Sequence, residues 1–173
     1  NNYGQLGNNT TYTIDVPLVL PTGLRFTSVS SGSLHSCALT SAGDAYCWGA
    51  GGQGQLGNGA FKTSLGPVHV ASSVRFSTIE AGGFHTCALA QDGQAYCWGE
   101  NNYGQLGIGS LDNSAVPVLV SGGVTYTSIS AGDTHTWRRP ELAAGFFSRR
   151  NAHRVHLESR RQSRDLRHEP RRQ

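Results

Sequence analysis

Two short constellations carry the residue types from which chemistry is made. His35 stands two residues before Cys37, with Cys47 ten further on, and the spacing returns in His85, Cys87 and Cys97. On a strand a histidine and a cysteine two apart share a face. A His-Cys-Cys set has the donors of a zinc half-site, but a structural site needs four ligands and no fourth recurs with the others. A zinc deaminase would need a Glu beside the His and a Cys-x-x-Cys, and the sequence has neither. Thiol pairing is the remaining chemistry, and it depends on how the two cysteines of each set face each other.

The turn between the cysteines sets their register. In TSAGD and AQDGQ a glycine, Gly43 and then Gly93, holds the third loop position. A three-residue hairpin loop built on a type I turn wants a left-handed residue there, and Gly adopts that conformation with no Cβ penalty. With 41–43 as the loop, Thr40 closes the hairpin against Asp44 and Cys37 falls opposite Cys47. The same count sets Cys87 opposite Cys97. Alternation makes each a non-hydrogen-bonded pair, with Cα atoms about 4.5 Å apart, at the short end of what a disulfide bridges. Two cross-strand disulfides are permitted, and the matching register of two pairs favours them. Four reduced core thiols, as a reducing compartment would enforce, are the alternative.

These hairpins belong to a longer repeat. NNYGQLG at 1–7 returns unchanged at 101–107, with GGQGQLG at 51–57 between, a period of 50 residues without insertion. Pro17, Pro67 and Pro117 fall on the period, as do His35, His85 and His135, and Cys47-Trp48-Gly49 recurs as Cys97-Trp98-Gly99. The units run about 1–52, 53–102 and a truncated 103–136. Each offers four strand-like segments: VPLVL, PVHV or VPVLV; RFTSVS, RFSTIE or TYTSIS; then HSCAL and AYCWG or their counterparts. None carries a helical stripe. The expected fold is all-β, made of four-stranded propeller-type blades, fewer than three of them. Within it the repeated histidines are expected to be buried, their ring nitrogens bonded to neighbouring backbone. Trp48, Trp98 and the YGQLG leucines are expected in the core.

Other chemistries find little support. The seven acids up to Trp137 form no pair that recurs at a matched position, no Gly-x-Ser-x-Gly elbow is present, and the YGQLG segments lack the Lys of a phosphate loop. They read as turns. The sequence predicts no catalytic residue, no metal and no cofactor. No run approaches the ~18 apolar residues of a membrane-spanning helix. Because the chain begins at Asn1, inside a repeat, an export signal could precede it.

After Thr136 the pattern stops: HTCALAQDGQAYC at 85–97 is answered by HTWRRPELAAGFF at 135–147. Charge changes with it. Residues 1–137 hold three basic side chains against seven acidic, a balance of −4, whereas 138–173 hold eleven Arg against four acids, a balance of +7. The formal net charge of +3 therefore describes neither part. The body lacks the basic surface that nucleic acid requires. For the Arg-rich segment 137–173 the preferred account is translation out of frame from a GC-rich gene, giving a disordered, non-repeat tail. A genuine basic arm for phosphate-bearing partners is the second account, and a capping helix the least favoured, because its apolar residues make no regular stripe.

YGQLG, a Pro-bearing strand, F-x-x-I/V-x-A/S-G and then H-T/S-C-A-L…G…Y-C-W-G resembles the repeat of the regulator of chromosome condensation family, over residues 1–136. The paired cysteines look like the version found in bacterial, exported members. The resemblance implies part of a seven-bladed propeller whose loops bind other proteins. Relatives suggest two narrower roles, a secreted inhibitor of enzymes and a nucleotide exchange factor for a small GTPase. The expected function is non-catalytic protein binding at an extracellular or cell-surface location, with a cytoplasmic one as the alternative.

Overall fold

The computed structural model describes residues 1–17 and 19–140. Ten strands form, and no helix is found among the described residues. β1 (Phe26–Ser31), β2 (His35–Thr40), β3 (Ala45–Gly49) and β4 (Ser64–His69) make one antiparallel sheet in the order β1-β2-β3-β4. β5 (Phe76–Ala81), β6 (His85–Ala90), β7 (Ala95–Gly99) and β8 (Ser114–Leu119) repeat it, and β9 (Tyr126–Ala131) pairs with β10 (Thr136–Pro140) in a third, two-stranded sheet. These are blades of an incomplete propeller. β1 packs along β5, and β5 along β9, so the first strand of each sheet is the inner one.

The sheets set the phase of the repeat. The strand that follows each YGQLG segment completes the sheet of the preceding unit: Cys47 pairs with Val68 and Cys97 with Val118. This explains one departure from the sequence reading. In VPLVL the described residues 16, 17, 19 and 20 are in no strand, and Val16 and Val19 are exposed, because among the described residues no partner stands there as β3 and β7 stand for its two counterparts. A strand needs a neighbour for its backbone groups as well as its own β propensity.

The hairpins close as their glycines dictate. Thr40 N donates to Asp44 O and Gly43 N to Thr40 O, with Gly43 and Gly93 both at φ +83°. Each inner strand carries a bulge, at Thr27 and at Ser77, whose hydroxyls donate to Leu39 O and Leu89 O. The core lies between blades. Cys37, Leu39, Ala45 and Cys47 of the first face Phe76, Ile79, Ala88 and Trp98 of the second, with Leu56 among them. Cys87, Leu89 and Cys97 of the second then meet Ile129 of the third sheet, with Leu106 in the corresponding place.

The backbone of 137–140, the start of the Arg-rich segment, continues as strand: Trp137 pairs with Ser130 and Arg138 with Ile129. Pairing with β9 uses main-chain groups, which do not depend on the side chain, although Pro140 at the end of the strand has no N–H to give. The remainder, where disorder, a capping helix or a phosphate-binding arm was expected, lies outside the described residues.

Candidate functional site

Cys37 and Cys47 are disulfide-bonded, as are Cys87 and Cys97, each with Cα atoms 4.1 Å apart. All four are completely buried between blades. No group of three or more His, Cys, Asp or Glu among the described residues is placed to hold a metal. His35 and His85, both fully buried, reach towards the next blade, where each shares a threonine hydroxyl with the bridged cysteine two residues on: Cys37 Sγ lies 3.8 Å from Thr86 Oγ1 and Cys87 Sγ 3.4 Å from Thr136 Oγ1. His35 Nε2 lies 2.8 Å from Thr86 Oγ1, and His85 Nε2 2.8 Å from Thr136 Oγ1. The expectation of backbone partners is corrected here, since a side-chain hydroxyl one blade on takes that place. Thr86 Oγ1 in turn donates to Gln55 O at 2.8 Å. A hydroxyl that donates there must accept from His35, which puts the ring proton on Nε2 and leaves Nδ1 as a buried lone pair without a partner. Burial, and then the neighbouring His85, push the His35 pKa down to about 4. Burial does the same for His85, to about 4, helped by Arg138 and His135 and opposed by Asp133. His135 is exposed.

Trp48 and Trp98 are buried, each held by the YGQLG loop of its own unit: Nε1 donates to Gln5 O at 2.8 Å and to Gln55 O at 3.0 Å. On the third loop a guanidinium does this work. Arg138 Nη2 donates to Leu106 O at 2.9 Å, and its nitrogens lie over Gly107 as the indoles lie over Gly7 and Gly57. Burial lowers the pKa of Arg138. Of the YGQLG leucines, Leu56 and Leu106 are fully buried as expected. Leu6 is 38% exposed, since no blade among the described residues closes over it.

Two accessible regions lie at the ends of the sheets, and the ends differ. At one end lie the hairpin tips 41–43 and 91–93. Recesses of about 500 and 370 Å³ open there between successive blades, the first lined by Thr27, Leu39, Gly43 and Phe76, the second by their counterparts Ser77, Leu89, Gly93 and Tyr126. Nearby, Asp44 is ion-paired with Arg75 across the blade boundary, and His69 Nε2 stands 3.7 Å from the same carboxylate. At the other end are the turns 32–34, 82–84 and 132–135 and the long loops 50–63 and 100–113. Large side chains stand out from this end: Phe84 (37% exposed), Phe61 (58%), Leu111 (64%) and Tyr103 (74%).

Loops 50–63 and 100–113 share a frame. Gly54 N donates to Gly51 O and Gly57 N to Gly54 O, as Gly104 N does to Asn101 O and Gly107 N to Gly104 O. Gln55 Oε1 accepts from Gln53 N, and Gln105 Oε1 from Tyr103 N. Residues on this frame differ, the buried Ala50 giving way to Glu100, Gln53 to Tyr103 and Lys62 to Asp112, and in the neighbouring turns Leu34 to Phe84. The sequence reading passed over these residues, although laying one unit upon the next would have singled them out as changes on a constant frame.

The regulator of chromosome condensation (RCC1) repeat matches residues 1–39, 42–89 and 92–137 in succession, and a second model of that repeat matches 26–55 and 76–105. The chain belongs to this family. Three solved structures superpose on it. Human WBSCR16 does so at 26% identity and a TM-score of 0.70, over 79% of this chain and 37% of that one. Prp20p from Saccharomyces cerevisiae does so at 22% identity and 0.70, over 93% and 42%. Yeast RCC1 (Prp20) in its complex with Kap60 gives 21% and 0.71, over 95% and 40%. The chain thus spans about two fifths of the length of these structures. No curated protein sequence matches it.

Proposed function

We propose that this RCC1-repeat chain is a non-catalytic protein-binding module and that it engages its partner with the loop end of the blades. The observation that carries the reading is the contrast between a constant loop frame and the aromatic and apolar side chains raised above it, Phe61, Phe84, Tyr103 and Leu111. Large aromatic residues in accessible positions are the usual anchors of protein interfaces. Loops on a rigid sheet scaffold can vary without cost to the core. The solved relatives lend support of a general kind: Prp20p has been studied for its binding to Gsp1p and histones, and Kap60 is bound to yeast RCC1. The two disulfides favour an oxidising, extracellular place of action. They accord better with an inhibitor of secreted enzymes than with an intracellular exchange factor.

The test is capture of partners by the immobilised chain and by two surface variants, Y103A/L111A at the loop end and Q91A/D92A at the hairpin-tip end. A protein held by the wild type and the tip variant but released by the loop variant supports the reading. Loss in the tip variant alone, or equal capture by all three, overturns it.

A further inference from the structure

Glu100 follows the last residue of β7 and is the one acid directly attached to the frame of the YGQLG loop. Its backbone N donates to the main-chain oxygen of the partly exposed Phe84 at 2.9 Å. Both carboxylate oxygens are held: Oε1 accepts from Asn102 Nδ2 at 3.1 Å and Oε2 from Gln105 Nε2 at 3.3 Å. Gln105 is 4% exposed, and its own Oε1 is fixed by Tyr103 N at 3.0 Å. A buried amide thus orients the carboxylate, and the same amide anchors the backbone of the most exposed aromatic residue of the loop.

Folding of the loop does not require this acid. In the preceding unit Ala50 takes its place, its N donates to Leu34 O at 2.9 Å in the same way, and the Gln53–Gln55 contact and both glycine turns are kept. The carboxylate is an addition to a frame complete without it. Each oxygen accepts one of these bonds, and a carboxylate oxygen has capacity for a second. A guanidinium fits such a carboxylate with paired N–H donors, and its flat face can lie on an aromatic ring. An ammonium lacks both the fork and the plane. Metal binding would need further oxygen donors close by, and no such group is placed among the described residues.

We propose that Glu100, in the loop that carries Tyr103 and bonded through its backbone to Phe84, is the docking point for an arginine side chain of the partner protein. This rests on the reading of the loop end as the binding surface, and it adds the chemistry of one contact. The test uses the full chain and a defined probe, acetyl-Gly-Arg-Gly-amide, followed through the side-chain amide resonances of Asn102 and Gln105. The lysine peptide and the peptide of uncharged citrulline are its controls. The arginine peptide is expected to shift both resonances saturably at millimolar concentration. The lysine peptide should bind at least threefold more weakly and the citrulline peptide not at all. E100Q should abolish the response, and Y103A, at a residue 74% exposed and so neutral for folding, should weaken it severalfold. Equal response to citrulline, an unchanged response in E100Q, or no saturable shift with any peptide overturns the proposal. The two tests fail separately. If capture maps to the loop end and the peptide does not bind, only the arginine contact falls. If the peptide binds and capture maps elsewhere, the loop-end reading falls and the cation site stands alone.

Discussion

Thr86 joins two blades through one hydroxyl, which accepts from His35 and donates to Gln55 O. The arrangement holds only while the imidazole is neutral, because a proton added at Nδ1 would place an unpaired cation in a dry core. The sign of the pH dependence follows. Both histidines titrate near 4 in the folded chain and near 6.5 when unfolded, so between those values the unfolded state binds more protons. Their stabilising effect is whole above pH 6.5, declines as pH falls below that value, and is gone below about 4. A shift of this size corresponds to at most ~3 kcal/mol for each ring. The urea midpoint is therefore expected to fall between pH 6.5 and 4.5, and the fall to be shallower in H35Q/H85Q. An equal slope in the double variant would assign the acid sensitivity to carboxylates. The sequence announced these histidines by their period, and their burial could be expected from it. Their partner could not, since Thr86 lies 51 residues away and only the stacking of blades brings it near.

The hairpin is the element at which sequence and structure agree most closely. Its register is local: a glycine in the third loop position, a short loop and two cysteines fix every pair from Thr40/Asp44 to Cys37/Cys47. Strand pairing across the period is less legible. VPLVL has the composition of its counterparts, yet its described residues are in no strand, because the partner strand of each such segment comes from the unit before it. The differing loop residues were legible in principle, yet their accessibility comes from the sheets beneath them. The two hairpins also allow a comparison that composition cannot supply. Gly43 and Gly93 have the same φ of +83°, but a Cβ on Gly43 would stand 2.8 Å from Phe76 O, while one on Gly93 would meet the side chain of Thr125 at 3.1 Å. A left-handed alanine costs ~1–2 kcal/mol in either place. Both neighbours are tied to backbone, but the oxygen at 2.8 Å is closer than a Cβ can come and must shift, whereas the Thr125 Cβ at 3.1 Å has only a few tenths of an ångström to give. G43A is thus expected to cost at least about 1 kcal/mol more than G93A in urea unfolding with the disulfides intact. Equal losses would mean that the blade boundary at Phe76 yields more readily than its packing suggests.

At the scale of the whole molecule, successive blades bury the same surface twice and expose it once. Ile79 is 4% and Ile129 8% exposed where a blade stands against them, and Leu56 and Leu106 are fully covered. On the first blade Val29, at the same repeat position as the two isoleucines, is 66% exposed, and Leu6 is 38% exposed. Phe26 packs only against its own blade, with ring centroids 5.8 Å from Tyr46 and 5.9 Å from Trp48. This face has the shape and polarity of a blade interface with nothing on it, and apolar area of that kind is driven to find cover. The isolated chain is therefore expected to associate through it, and sedimentation velocity should show the mean mass rising with concentration. V29K sets a charge in the middle of the face without touching the hairpins, the disulfides or the loop end. It should move the distribution towards monomer while leaving partner capture by the loop end unchanged. If V29K alters capture and mass together, the two ends of the argument collapse into one surface, and the first blade's open face would be where the partner binds.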